Sequence, residues 1–203
     1  MATEYAQPAS REVLTEAAAA LIENGFLAEV ADDGPDAKRR ALEKIPKGAE
    51  VYTAQSATLN ALGIAEAIDE SGEYDSVRKK LASMDRATQA DEMRALGARP
   101  QYIIGSPQAI TRDGQVVMAS YGGSQLAGYV SGARHVVWVV GAQKIVENLD
   151  EAFDRIDTHA LPLESARLEA AIGVPSRANN ILLIRAAVRP RFNVVLVPEA
   201  LGF

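Results

Sequence analysis

The run His135-Val136-Val137-Trp138-Val139-Val140 places apolar side chains on both faces of an extended segment. An amphipathic hairpin strand alternates apolar with polar residues. A strand apolar on both sides has to be covered on both sides, as in the middle of a parallel sheet. The surrounding chain fits that requirement, because short strand-like segments alternate with helix-like ones over most of the 203 residues. Such alternation predicts an α/β protein in three layers, with a mostly parallel sheet between helices.

Ser10 caps a predicted helix over 11–24, with Val13, Leu14, Ala17, Ala18, Leu21 and Ile22 in one stripe and Gly25 closing it. A strand at Phe26–Val30, a helix at Asp36–Ile45 and a strand at Ala49–Thr53 follow. Next come a helix at Ser56–Asp69 and a charged helical region from about Asp75 to Leu96. Strands are predicted at Tyr102–Ile104, Gln115–Ala119 and His135–Val140, with a helix at Ser124–Val130. Asn148 caps a helix over 148–161, with Leu149, Ala152, Phe153, Ile156 and Ala160 inward and Pro162 as its stop. Ile181–Ala186 and Phe192–Val197 are separated by a short turn, and that spacing predicts an antiparallel pair.

Composition narrows the chemistry. With 48% hydrophobic and 24% charged residues, a normal core forms without staples. There is no cysteine, which excludes disulfides, thiolate metal ligands, cysteine-held iron–sulfur clusters and a cysteine nucleophile within the chain. Net charge is −6 and no long Lys/Arg run occurs, so no footprint for nucleic acid or an anionic membrane is visible. No segment approaches the roughly 18 consecutive apolar residues of a membrane span. The segment MATEYAQPAS lacks the layout of a secretory signal, and the protein reads as cytoplasmic. His135 and His159 are the only histidines and have no metal-ligand spacing, so no metal is expected. His159, near the end of its predicted helix, has a favourable dipole position.

Four loops carry candidate chemistry. Thr53-Ala54-Gln55-Ser56-Ala57-Thr58 leads from strand to helix through hydroxyls, so Ser56 is either a plain cap or an anion ligand. In Gly105–Gly114, Ser106 can bind a substrate oxygen, and Asp113 is either a catalytic base or half of an Asp-Gly turn. Gly122-Gly123-Ser124-Gln125 lets backbone approach a ligand, or makes a tight turn; it is neither a GxGxxG nor a Walker loop. Gly141-Ala142-Gln143-Lys144 follows the buried strand and offers Lys144 to an acidic substrate, the alternative being an exposed loop lysine.

Taken in order, IGSPQAITRDG, GGSQLAGYVSGARHVVWVVGAQKIV, LPLESARL and the ending FNVVLVPEALGF resemble the LUD domain, the lactate-utilization family of LutC and YkgG proteins. SATLNALGI resembles its Ser-x-Thr-Leu helix start. The likeness spans residues 1–203 as one domain, with the helix over 11–24 packing on it. It implies a NagB/RpiA/CoA-transferase-like α/β/α fold and a link to oxidation of lactate or related 2-hydroxy acids. Sister subunits of that system carry iron–sulfur clusters, so an iron–sulfur subunit is an implied partner, beside a small anionic metabolite and a homo-oligomer. Ser106, Ala109, Thr111, Asp113 and Gly114 match the family's loop, Gly123 its glycine before the helix, and Gly141, Lys144, Ile145 and Val146 its Gly-x-Asn-Lys-Ile-Val signature.

The chain departs from that pattern. Gln108, Gln125 and Gln143 stand where relatives often have Asn, Arg and Asn, and Glu164 stands where Asn is common. Gln125 in place of Arg removes a positive charge from the ligand mouth. Many relatives carry a cysteine cluster where this chain has GVPSRANN, so redox or metal roles tied to it are not expected here. The family's chemistry leaves the cofactor unknown and three roles open: a cluster-free component binding a small anion, an enzyme on a phosphorylated or CoA-linked metabolite, or a non-catalytic interaction module. As catalytic residues the candidates are Asp113 and Lys144; as ligand-binding residues they are Ser56, Ser106, Gly122, Gly123, Ser124, Gln125, Gly141 and Gln143.

Overall fold

A computed structural model describes residues 4–203. Six strands form a wholly parallel sheet: β1 (Leu27–Val30), β2 (Glu50–Thr53), β3 (Asp75–Ser76), β4 (Tyr102–Gly105), β7 (His135–Gly141) and β10 (Phe192–Val197). Their order across the sheet is β1-β10-β7-β4-β2-β3, so β7 lies in the interior, as its two apolar faces require. Four shorter strands make a second, mixed sheet in the order β8 (Ile145–Val146), β5 (Ala109–Thr111), β6 (Val116–Ser120) and β9 (Asn180–Ile184).

Alternation along β7 divides the core. Val137 and Val139 join Val195 and Val197 against α2 (Gly34–Glu43), α3 (Ala57–Ala61) and α4 (Ile64–Asp69). Val136, Trp138 and Val140 face the other way, toward α1 (Arg11–Glu23), Tyr129 and the inner side of the small sheet. The outer side of that sheet, through Ala109, Val117 and Val146, packs on Ala152 and Ile156. The protein is therefore an α/β fold with a second sheet laid over one helical layer.

Several boundaries differ from the sequence expectation. The helix expected over 56–69 breaks at Gly63, which takes φ 61 and starts α4 anew. The charged region divides into α5 (Val77–Ser83) and α6 (Ala90–Ala98). Residues 124 and 125 form a turn, and the expected helix there is mainly a π-helical turn over Gly128–Gly132.

The expected antiparallel pairing of the last two strands does not form. β9 runs antiparallel to β6, whereas β10 lies parallel to both β1 and β7. β10 is buried along nearly its whole length and needs a neighbour on each side; β9 is exposed or half-buried and suits a sheet edge.

Nor does Pro162 stop its helix. α7 (Leu149–Arg155) passes through a π-helical segment, Ile156–Ala160, into α8 (Leu161–Ile172), which Gly173 closes at φ 73. A proline inside an α-helix clashes with the carbonyl four residues back. Here Leu161 N–H donates to Ile156 C=O, a wider turn that accommodates Pro162 at the start of α8. Within this helix Phe153, expected inward, is exposed.

The cap at its start is as predicted: Asn148 Oδ1 accepts from Glu151 N–H at 3.0 Å. Replacing Asn148 with alanine is expected to cost about 1 kcal/mol, the ordinary value of a hydroxyl or amide cap. Urea denaturation checks it, and an unchanged midpoint would mean that the cap is dispensable.

Candidate active site

In the parallel sheet, β2 leads through α3 and α4 across one face toward β3, while β4 leads over the opposite face toward β7. The chain thus changes direction between β2 and β4. Crevices outside the carboxyl ends of strands at such a point are the usual ligand sites of open α/β sheets. In register, β2 and β4 end close together, with Thr53 opposite Ile104, while Gly105 lies opposite Trp138 and β7 and β10 run on past it to end together, Val197 opposite Gly141.

A cavity of about 540 Å³ opens there. Its floor carries Ser56 from after β2, Ser106 from after β4, and Lys144 from the 3₁₀ turn after β7. One side is the turn with Gly122, Ser124 and Gln125, and the other is the π-helical segment and α8, through Ile156, Glu164 and Leu168. Phe203 contributes the C-terminal end of the chain.

Lys144 is 2% exposed. Its Nζ donates to Thr58 Oγ1 at 2.9 Å and approaches Ser106 Oγ to 3.0 Å. Arg155 is wholly buried; its Nε donates to Gln143 C=O at 3.1 Å and one Nη to Gln108 C=O at 2.6 Å. Its second Nη is buried with no hydrogen-bond partner. Among the described residues no carboxylate lies within ion-pair distance of either cation.

Burial, and then the nearby Arg155 charge, push the Lys144 amine well below its ordinary range. Burial brings Arg155 down to about 10. His159 is lowered by burial and by both cations; it lies within the π-helical segment rather than near a helix end, so the expected dipole benefit does not apply.

Six of the sequence candidates meet at this cavity: Ser56, Ser106, Gly122, Ser124, Gln125 and Lys144. The other four do other work. Gln143 donates through Nε2 to Leu201 C=O (2.9 Å) and Gly202 C=O (3.1 Å), tying down the last residues. Gly141 leaves space for that tail, since a Cβ there would come within 2.7 Å of Leu201 N and 2.9 Å of Glu199 O. Gly123 takes φ 74 in its turn, and its N–H donates to Ser120 Oγ at 2.9 Å.

Asp113 is not among the cavity-lining residues. Its carboxylate accepts from the Thr111 hydroxyl and from Gln115 Nε2, chiefly the first holding it below the usual carboxylate range. Its C=O accepts from Asn24 Nδ2 at 2.8 Å, which pins the β5–β6 turn to the end of α1.

The sequence did not single out Thr58 and Arg155. Thr58 stood in the hydroxyl-rich turn behind the more obvious cap. Arg155 falls on the Ala152–His159 face at i+3 and i+7 spacing, which marks it as inward-facing, but Asp150, Glu151, Asp154 and Asp157 around it mask that phase.

Among the described residues no helix is long and apolar enough to cross a membrane, and no group of three or more His, Asp or Glu is placed to hold a metal ion. No curated protein matches the chain. A crystal structure of a DUF162 family protein from Deinococcus radiodurans is similar in fold, with a TM-score of 0.56 at 13% identity, over 94% of this chain and 99% of that one. The family model described as the LUD domain matches residues 14–197, which include Ser106, Lys144 and every strand of both sheets; the chain belongs to the LUD domain family.

Proposed function

We propose that this cavity binds a small metabolite carrying a carboxylate, of the 2-hydroxy-acid class represented by lactate, and that the protein acts in lactate utilization as a component without an iron–sulfur cluster. The observation that carries this reading is the buried Lys144 on the cavity floor with the wholly buried Arg155 behind it, neither having a carboxylate partner among the described residues. Desolvating an ion costs several kcal/mol. An anion seated over Lys144 favours its ammonium form and offsets part of the cost of the Arg155 charge behind it, while the Ser56, Ser106 and Ser124 hydroxyls lining the cavity supply hydrogen bonds. The family's link to lactate supplies the metabolite class, and a cluster-bearing subunit is the corresponding partner.

Binding is coupled to protonation. Lys144 is held below its ordinary range in the free protein, and a nearby anion favours its ammonium form. Above the free-state pKa, binding therefore takes up a proton, and affinity falls as pH rises. Thermal melting with lactate, pyruvate and acetate tests the reading: at about 100 times Kd a ligand adds ~2.7 kcal/mol of stability. Calorimetry in two buffers of different ionisation enthalpy reads the proton. Absence of any response to these acids would remove the proposal.

A cavity of about 540 Å³ has far more room than a three-carbon acid fills, and Ile156, Leu168 and Ile172 give it an apolar wall. Both features favour a second reading, in which the acid arrives attached to a larger body, as in a CoA-linked metabolite.

A further inference from the structure

The hydroxyl protons around Lys144 are constrained. Thr58 Oγ1 donates to Leu201 C=O at 2.8 Å, so toward Lys144 it can only accept, and Nζ donates to it. Ser106 is different. Besides Nζ at 3.0 Å, the only acceptor in range of its hydroxyl among the described residues is Pro107 C=O, at the 3.5 Å limit. When the amine is neutral, its lone pair is the better acceptor for the Ser106 proton. A serine hydroxyl directed at a buried amine, with that amine oriented by a third group, is the geometry of an activated nucleophile.

We propose that Ser106, Lys144 and Thr58 form an acyl-transfer centre for esters or thioesters of small carboxylic acids: Ser106 is the nucleophile, Lys144 its general base, and Thr58 positions the base. Both reacting side chains line the cavity, so an acyl carbon can reach them. This deepens the anion-binding reading and rests on the same cavity, the carboxylate being the reaction's product.

The steps balance. Ser106 Oγ bonds to the acyl carbon as its proton passes to Nζ, and the carbonyl π pair moves onto oxygen. Collapse of this adduct breaks the bond to the leaving thiolate or alkoxide, which takes the proton from Nζ. Water then adds to the acyl-serine, again giving a proton to Nζ; the second adduct expels Ser106 Oγ, which recovers that proton, and the acid is released. The sum is ester plus water to acid plus alcohol or thiol. Arg155, which has no carboxylate partner among the described residues and donates to the Gln143 carbonyl in the turn that bears Lys144, favours the negative charge of each adduct through space. Lys144 is kept unprotonated for this task by its burial and by Arg155.

The test uses a short alkyl fluorophosphonate, followed by intact and peptide mass, with p-nitrophenyl acetate as acyl donor. Wild type is expected to gain one phosphonyl group on Ser106 and to show an acyl burst, and Ser106→Ala neither. Lys144→Arg supplies nitrogen donors but no usable base, and its labelling is expected to fall at least ~100-fold, the lower range for losing a general base. Lys144→Met makes the same removal should arginine not fit, and melting curves report folding of each. Thr58→Val is expected to shift the pH profile of labelling as well as slow it.

Labelling elsewhere, or a folded Lys144 variant that labels like wild type, would overturn the proposal. A lactate-dependent melting shift without labelling removes the acyl-transfer centre and leaves anion binding standing. Labelling without a lactate response does the reverse, and neither signal removes both.

Discussion

Replacing Lys144 with methionine is expected to make the ligand-free protein more stable at neutral pH while abolishing its response to carboxylates. The folded protein holds the Lys144 amine well below its ordinary range, whereas in the unfolded chain it titrates near 10.4. Between those two values the unfolded state carries a proton that the folded state lacks. Wild-type stability from this group therefore rises with pH, at up to about 1.4 kcal/mol per pH unit. As pH falls from roughly 10.4 this stability is lost, until the folded amine also protonates and the loss stops.

Methionine has no proton to bind and fills a similar volume with a flexible chain. Its advantage over lysine is largest on the acidic side of that window and vanishes toward its alkaline edge. Urea denaturation of both proteins across this range gives the difference directly. Parallel stability curves would show that Lys144 does not titrate as its surroundings require. A gain in stability on losing a functional group is the expected sign of a site maintained for binding or chemistry.

Trp138→Ala is expected to be the most damaging single change in the core, at about 3–5 kcal/mol. The indole is wholly buried between the ring of Phe192 (5.1 Å between centroids), an edge-on Tyr129 (5.5 Å) and Phe26 (6.3 Å). It sits at the middle of β7, where sheet and α1 layer meet, and no neighbouring side chain can fill its volume without leaving its own contacts. At roughly 2–4 °C per kcal/mol for a chain of this size, the melting temperature should drop by about 6–20 °C. A loss of only one or two degrees would mean that this layer repacks freely.

The position of β7 was legible because burial on both faces is written in consecutive residues. The same signal was present in Phe192-Asn193-Val194-Val195-Leu196-Val197, yet the short connection to Ile181–Ala186 suggested a local hairpin. Demand for two neighbours outweighed proximity, and the chain after β9 returns to the large sheet by way of Ala187, whose N–H donates to Asn24 C=O. Around the cavity, the shared placement of Ser56, Ser106 and Lys144 was legible because each follows a visible strand end. Gln143 and Gly141 share those loops, but their roles depend on a tail that returns from β10, which no local pattern reveals. Arg155 was hidden for the opposite reason: the exposed acids Asp154 and Asp157 flank it closely, and only its helical phase marks it as inward-facing.

The π-helical segment beneath Pro162 has a geometric consequence for the cavity. A π turn contains one residue more than an α turn, so everything after it is rotated by about 100° relative to an unbroken helix. Glu164, Leu168 and Ile172 point into the cavity in that rotated frame. The cavity wall is thus aimed by the number of residues in Ile156–Ala160 rather than by their identity. Loss of a single codon there would swing the wall aside while leaving each of its side chains unchanged.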